Sequence, residues 1–129
     1  MQLSQRIVVV VDDERSVRNG LTNLLQSEGY LTQAFESAES LLCDEGAMAN
    51  AALFIIDVQL KGMNGFELFI NLTRRLSSPP GILVSGNGDD SMLRYAIDLG
   101  AVAFLPKPIE IDTLFEHIRQ AFSSRAARQ

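Results

Sequence analysis

The chain has 129 residues, 47% of them hydrophobic and 21% charged. That suits one globular domain, able to bury roughly two thirds of its unfolded surface without disulfides or a structural metal. Its single cysteine, Cys43, excludes a disulfide framework and a thiolate zinc site and fits a reducing, cytoplasmic compartment. Eleven Lys and Arg against sixteen Asp and Glu leave a net charge of −5, which opposes direct binding to a nucleic-acid backbone.

The first apolar run, Ile7 to Val11, is too short for a signal peptide or a membrane span before Asp12 and Asp13 interrupt it. It reads as a buried strand. Val17, Leu21, Leu24 and Leu25 then share the face of a helix that Gly29 closes. A weaker run at Tyr30 to Phe35 gives a second buried strand, and Ala38 to Met48 a short helix in which Cys43 is a small packing residue. Leu53 to Ile56 forms the third strand, and Phe66, Phe69, Leu72 and Leu76 line the third helix. Pro79 and Pro80 precede the fourth strand, Ile82 to Val84, and the helix over Asp89 to Leu99 stops at Gly100.

Val102 to Leu105 is the fifth strand, and Ile111, Leu114, Ile118 and Phe122 form the apolar face of the last helix. His117, at the polar edge of that face, reads as structural or solvated, since one histidine cannot build a metal site. Residues 1–122 therefore make the domain, and 123–129 (SSRAARQ) a polar tail or the start of a linker. Strict alternation of this kind predicts an α/β fold: a single doubly wound (βα)5 unit with a parallel sheet, right-handed crossovers and helices on both faces. Its functional groups gather at the carboxyl ends of the strands.

Four of the five strand ends carry chemistry: Asp12 and Asp13 after the first, Asp57 after the third, Ser85 after the fourth and Lys107 after the fifth. If the first and third strands are neighbours, three carboxylates converge. Like charges that close repel unless a cation sits among them, and hard oxygen ligands select magnesium, or manganese. A carboxylate is also a nucleophile toward phosphorus, and phosphoryl transfer needs a metal, a cation and a hydroxyl around the transferred group. Lys107 and Ser85 supply the last two.

Each residue also has a plainer reading. Asp13 alone would serve as the N-cap of the helix beginning near Arg15, and Asp57 or Ser85-Gly86 as turn residues. Lys107 alone would be a solvated loop lysine and Phe104 a core residue. Their joint occurrence at successive strand ends favours the site.

The segments VVVVDDE, IIDVQLKGMNGFEL, ILVSGNGD and AVAFLPKP, in order over residues 6 to 122, resemble the receiver domain of bacterial two-component response regulators. The resemblance implies a flavodoxin-like sheet of order 2-1-3-4-5. It also implies that Asp57 accepts a phosphoryl group from a phosphohistidine on a sensor histidine kinase or histidine phosphotransfer protein. Asp12, Asp13, Asp57 and the backbone carbonyl of Gln59 would hold magnesium, and Ser85 and Lys107 would bind the phosphoryl oxygens. Phe104 matches the switch aromatic, and Lys107-Pro108 would be a cis peptide.

The same resemblance implies a phosphoacceptor signalling domain, capable of self-phosphorylation from a donor and slow autodephosphorylation, rather than a turnover enzyme. Phosphorylation would remodel the surface of the fourth predicted helix, the fifth strand and the last helix, where Tyr95, Met92 and Ile109 lie. That surface would control an effector domain or downstream protein, with transcription as one output and phosphorylation-dependent homodimerisation as one route. No membrane contact is expected. The chain departs from the family at Lys61-Gly62, where proline is usual, so that loop is expected to be more mobile and more positive. Gln59 and Asn87 occupy positions that tune dephosphorylation in the family, and neither carries a charge.

Two alternatives share part of this pattern. A flavodoxin-like flavin carrier has the same architecture, but the acids of DDERS repel a flavin phosphate. An aspartyl-phosphate hydrolase commonly has a second acid two residues after its nucleophile, where this chain has Gln59.

Overall fold

The computed structural model describes residues 6–127. Five strands, β1 (Ile7–Val11), β2 (Leu31–Phe35), β3 (Ala51–Asp57), β4 (Gly81–Ser85) and β5 (Ala103–Pro106), alternate with helices α1 (Arg15–Ser27), α2 (Ala38–Leu42), α3 (Glu45–Asn50), α4 (Gly65–Arg75), α5 (Asp90–Asp98) and α6 (Ile111–Ala127). The strands form one parallel sheet in the order β2-β1-β3-β4-β5. The chain reverses direction across the sheet between β1 and β3, which opens a crevice at their carboxyl ends.

Strand periodicity divides the core. Val9, Val11, Phe54, Ile56 and Leu83 face one side and pack with Leu41, Met48, Leu68, Phe69, Leu72 and Ala96 from α2 to α5. Val8, Val10, Leu53, Ile55, Ile82 and Val84 face the other, against Leu21 and Leu25 of α1 and Leu114, Ile118 and Phe122 of α6. Both faces of the central strands are thus dry, which is why they read as unbroken apolar runs rather than alternating ones.

Four expectations are corrected. β2 is the edge strand and is not buried: Leu31 is 48% exposed, because no strand covers its outer side. The helix expected over Ala38 to Met48 is two helices, since the Asp44 side chain accepts from the Ala47 N–H and starts a new one. Cys43 sits at that break, exposed, and does not pack in the core. Leu24, counted on the apolar face of α1, is also 37% exposed, and Leu21 and Leu25 carry the burial there. α6 continues through Ala127, into the segment expected as tail or linker, and residues 128–129 of that segment lie outside those described. No helix among the described residues is long and apolar enough to cross a membrane.

Candidate functional site at the carboxyl edge of the sheet

Register builds the site. Val11 pairs with Ile56 and Asp57 with Val84, so the residues leaving β1 and ending β3 lie side by side. Ser85 pairs with Pro106, and the Lys107 N–H donates to the Ser85 carbonyl at 3.0 Å, which brings the end of β5 to the same edge. The Lys107-Pro108 peptide is cis. Asp12, Asp13 and Asp57 each place a carboxylate oxygen within 4.8 Å of the others.

The Lys107 ammonium enters this cluster. Its Nζ lies 3.1 Å from Asp57 Oδ2, 3.1 Å from Asp12 Oδ2 and 3.3 Å from Glu14 Oε1. Asp12 and Asp57 are almost completely buried, whereas Glu14 is exposed. Burial is the largest influence on Asp12 and pushes its carboxyl up; the Asp57 charge adds to this, and hydrogen bonds from the Glu14 N–H and Lys107 only partly offset them. Burial alone would lower the Lys107 pKa, but its bonds to Asp12 and Asp57 prevail and hold it above the usual lysine range. Lys107 is therefore a fixed cation and not a solvated loop lysine.

The two oxygens of Asp57 have different partners: Oδ2 accepts from Lys107 and Oδ1 from the Gln59 N–H at 2.9 Å. Asp13 is not a helix cap. The N-cap position of α1 is Glu14, without a side-chain cap bond, and Asp13 Oδ2 instead accepts from the Lys61 N–H at 3.2 Å, 48 residues away. Ser85 is buried, and its Oγ accepts from the Asn87 N–H at 3.2 Å. Phe104, half-buried, stacks on Phe66 with centroids 6.4 Å apart, and Phe66 meets Tyr95 edge-on at 4.9 Å. Tyr95 is 46% exposed, while Met92 and Ile109 are half-buried.

Sequence reasoning missed three participants. Glu14, the third acid of DDE, shares Lys107. The Gln59 side chain crosses to β4, its Oε1 accepting from the Gly86 N–H at 3.1 Å. Glu39 on α2 accepts from the Met63 N–H at 2.9 Å. Only the run of three acids was a usable signal; the other two depend on contacts 27 and 24 residues apart. Chemically, the cluster can take a hard cation among its oxygens, because Lys107 reaches only Asp12 and Asp57 of the three carboxylates and the donor set is all oxygen.

Comparison with known proteins identifies the family. A family profile described as the response regulator receiver domain matches residues 8–119. The chain is 35% identical over 114 residues to the transcriptional regulatory protein FixJ of Rhizobium meliloti (strain 1021), covering 88% of this chain and 55% of that protein. It is 34% identical over 121 residues to the response regulator protein TmoT of Ectopseudomonas mendocina, covering 94% of this chain and 54% of that one. The chain thus spans about half the length of these relatives. A crystal structure of a response regulator receiver domain protein from Clostridium thermocellum superposes with a TM-score of 0.88 at 21% identity, covering 96% of this chain and 99% of the other, and shares the fold. Neither a flavin carrier nor an aspartyl-phosphate hydrolase is favoured by these matches. With its 2-1-3-4-5 sheet, its acids at the crevice and a family match over most of its length, this chain is a receiver domain of the two-component response regulators.

Proposed function

We propose that Asp57 is the phosphoryl acceptor and that its donor is a phosphohistidine on a sensor histidine kinase or histidine phosphotransfer protein. The observation that carries this reading is the placement of the Lys107 Nζ 3.1 Å from both Asp57 and Asp12 in a buried acidic crevice. In the step itself, an Asp57 carboxylate oxygen forms a bond to phosphorus while the phosphorus–nitrogen bond of the donor breaks. The electron pair of that bond stays with the imidazole, which takes up a proton from solvent.

Asp12, Asp13, Asp57 and the backbone carbonyl of Gln59 would hold magnesium, or manganese, which supplies positive charge to the phosphoryl oxygens and the attacking carboxylate. Lys107 then turns part of its hydrogen bonding from the carboxylates to the phosphoryl group, and the Ser85 hydroxyl donates to a second oxygen. The Gln59 N–H keeps Asp57 Oδ1 oriented throughout. The domain is thus phosphorylated once per signal, with slow self-hydrolysis.

The signal leaves through α5, β5 and α6. Drawing Ser85 toward the phosphoryl group lets Phe104 move inward from its stack on Phe66, which alters the exposed surface around Tyr95. A shift from 1:99 to 99:1 needs roughly 5.5 kcal/mol of differential stabilisation, within reach of a few charge-assisted bonds in a sheltered site. The recipient is an effector domain or downstream protein, or a second receiver in a phosphorylation-dependent homodimer. The name of FixJ, a transcriptional regulatory protein, supports transcription as the output, and the cytoplasm is the setting that fits such a role.

The test is intact-mass analysis after incubation with phosphoramidate. One phosphoryl group should appear on wild type with magnesium and none on Asp57→Asn; equal labelling of both refutes the assignment.

A further inference from the structure

The loop after β3 lacks the family's usual proline, yet side chains from two directions hold it. On the inner side Asp13 Oδ2 accepts from the Lys61 N–H at 3.2 Å. On the outer side Glu39 Oε2 accepts from the Met63 N–H at 2.9 Å, and Gly62 between them has φ +76°. A Cβ at Gly62 would lie 2.8 Å from Glu39 Oε2, so the carboxylate rests directly over the loop backbone. We propose that Glu39 is a positioning residue for the metal site, an outer clamp that holds the 59–63 loop so that the Gln59 carbonyl and Asp13 meet the ion. The proposal rests on the reading of Asp57 and its neighbours as the ion-dependent phosphoacceptor site.

Glu39 is the anchor that matters because Asp13 has two tasks. Once Asp13 turns oxygen lone pairs to a cation, its hold on Lys61 weakens, and while Gln59 keeps its bonds to Asp57 and Gly86, the far end of the loop depends on Glu39. Glu39 stands away from the acidic trio and does not compete for the ion. The Met63 N–H holds the Glu39 carboxyl below the ordinary carboxylate range, so it stays charged where the clamp is needed. Glu39 is itself fixed by its place in the first turn of α2, a helix capped by Ser37. Outer residues that orient a metal ligand typically change affinity by about 10- to 100-fold when removed.

The experiment compares the 129-residue wild type, Glu39→Ala and Glu39→Gln by calorimetric Mg2+ titration, by phosphoramidate labelling across Mg2+ concentration, and by amide exchange at Met63. Glu39→Ala should raise the Mg2+ dissociation constant about tenfold. It should move the Mg2+ requirement for labelling by the same factor, speed Met63 exchange, and leave the labelling rate at saturating Mg2+ near wild type. Glu39→Gln, which keeps an acceptor oxygen, should recover most of the affinity. A merely structural role would not separate affinity from saturated rate in this way. Wild type that both binds Mg2+ and labels, with Glu39→Ala unchanged in affinity, overturns the clamp alone. Wild type that does neither overturns the reading of the site, and the clamp with it.

Discussion

Lys107 Nζ stands midway between two buried carboxylates, 3.1 Å from Asp57 Oδ2 and 3.1 Å from Asp12 Oδ2, although 50 residues separate it from the first and 95 from the second. Two buried acids facing one ammonium are poorly balanced. Removing the ammonium in Lys107→Ala strands both charges, so the variant should lose about 3 kcal/mol in urea unfolding at pH 7. Added Mg2+ should return part of that loss and still permit phosphorylation, but without the accompanying exchange change in α5 and α6. Full coupling in the variant would contradict the role given to Lys107.

Asp12 gives the opposite sign. Its folded pKa lies above the ordinary 3.8, with burial as the main cause, so the unfolded chain is the better acid and ionised Asp12 costs stability. That cost is absent below 3.8, grows as pH rises through the folded value, and is full at neutral pH. Asp12→Asn should therefore be more stable than wild type at pH 7 without divalent ions. The advantage should vanish when thermal melts are repeated below pH 4 or with Mg2+.

Asp13→Ala removes one oxygen ligand and the acceptor of the Lys61 N–H together. Mg2+ affinity should fall by more than tenfold in calorimetry, while the melting temperature changes little, because Asp13 is only partly buried.

Acid should loosen α5 first at its start. Asp89 caps that helix, and the Met92 N–H, with the Ser91 hydroxyl, lowers its pKa. Its contribution is present above the ordinary 3.8 and is lost as pH falls through the depressed folded value. Amides of Ser91 and Met92 should lose exchange protection, relative to the base of α4, over that window.

Gly88 leaves room for Phe104: a Cβ there would lie 2.6 Å from the ring. Gly88→Ala should push the ring toward Phe66 and oppose its inward movement. Labelling of Asp57 should proceed, while the exchange response of α5 shrinks. An undiminished response would show that Phe104 does not carry the signal.

The fold was legible because β1, β3 and β4 are buried on both faces, which leaves runs such as VVVV that no surface element tolerates. β2 was misjudged as buried because Leu31 and Phe35 look like core residues, and only sheet position makes one of them solvent-facing. The split of α2 from α3 turns on one side-chain cap at Asp44 that periodicity cannot weigh against a continuous helix. At the site, residues that end strands were found because strand ends converge in any such sheet. Glu39 and the Gln59 side chain were not, since their partners are backbone N–H groups, which carry no sequence signal.

The most direct test of the whole account is chemical mapping of the acyl phosphate. After labelling with phosphoramidate and Mg2+, borohydride reduction should convert residue 57 alone to homoserine, read by peptide mass spectrometry, and Asp12 and Asp13 should remain aspartate. Homoserine at position 12 or 13, or none anywhere in a protein that has gained phosphate, would contradict Asp57 as the acceptor.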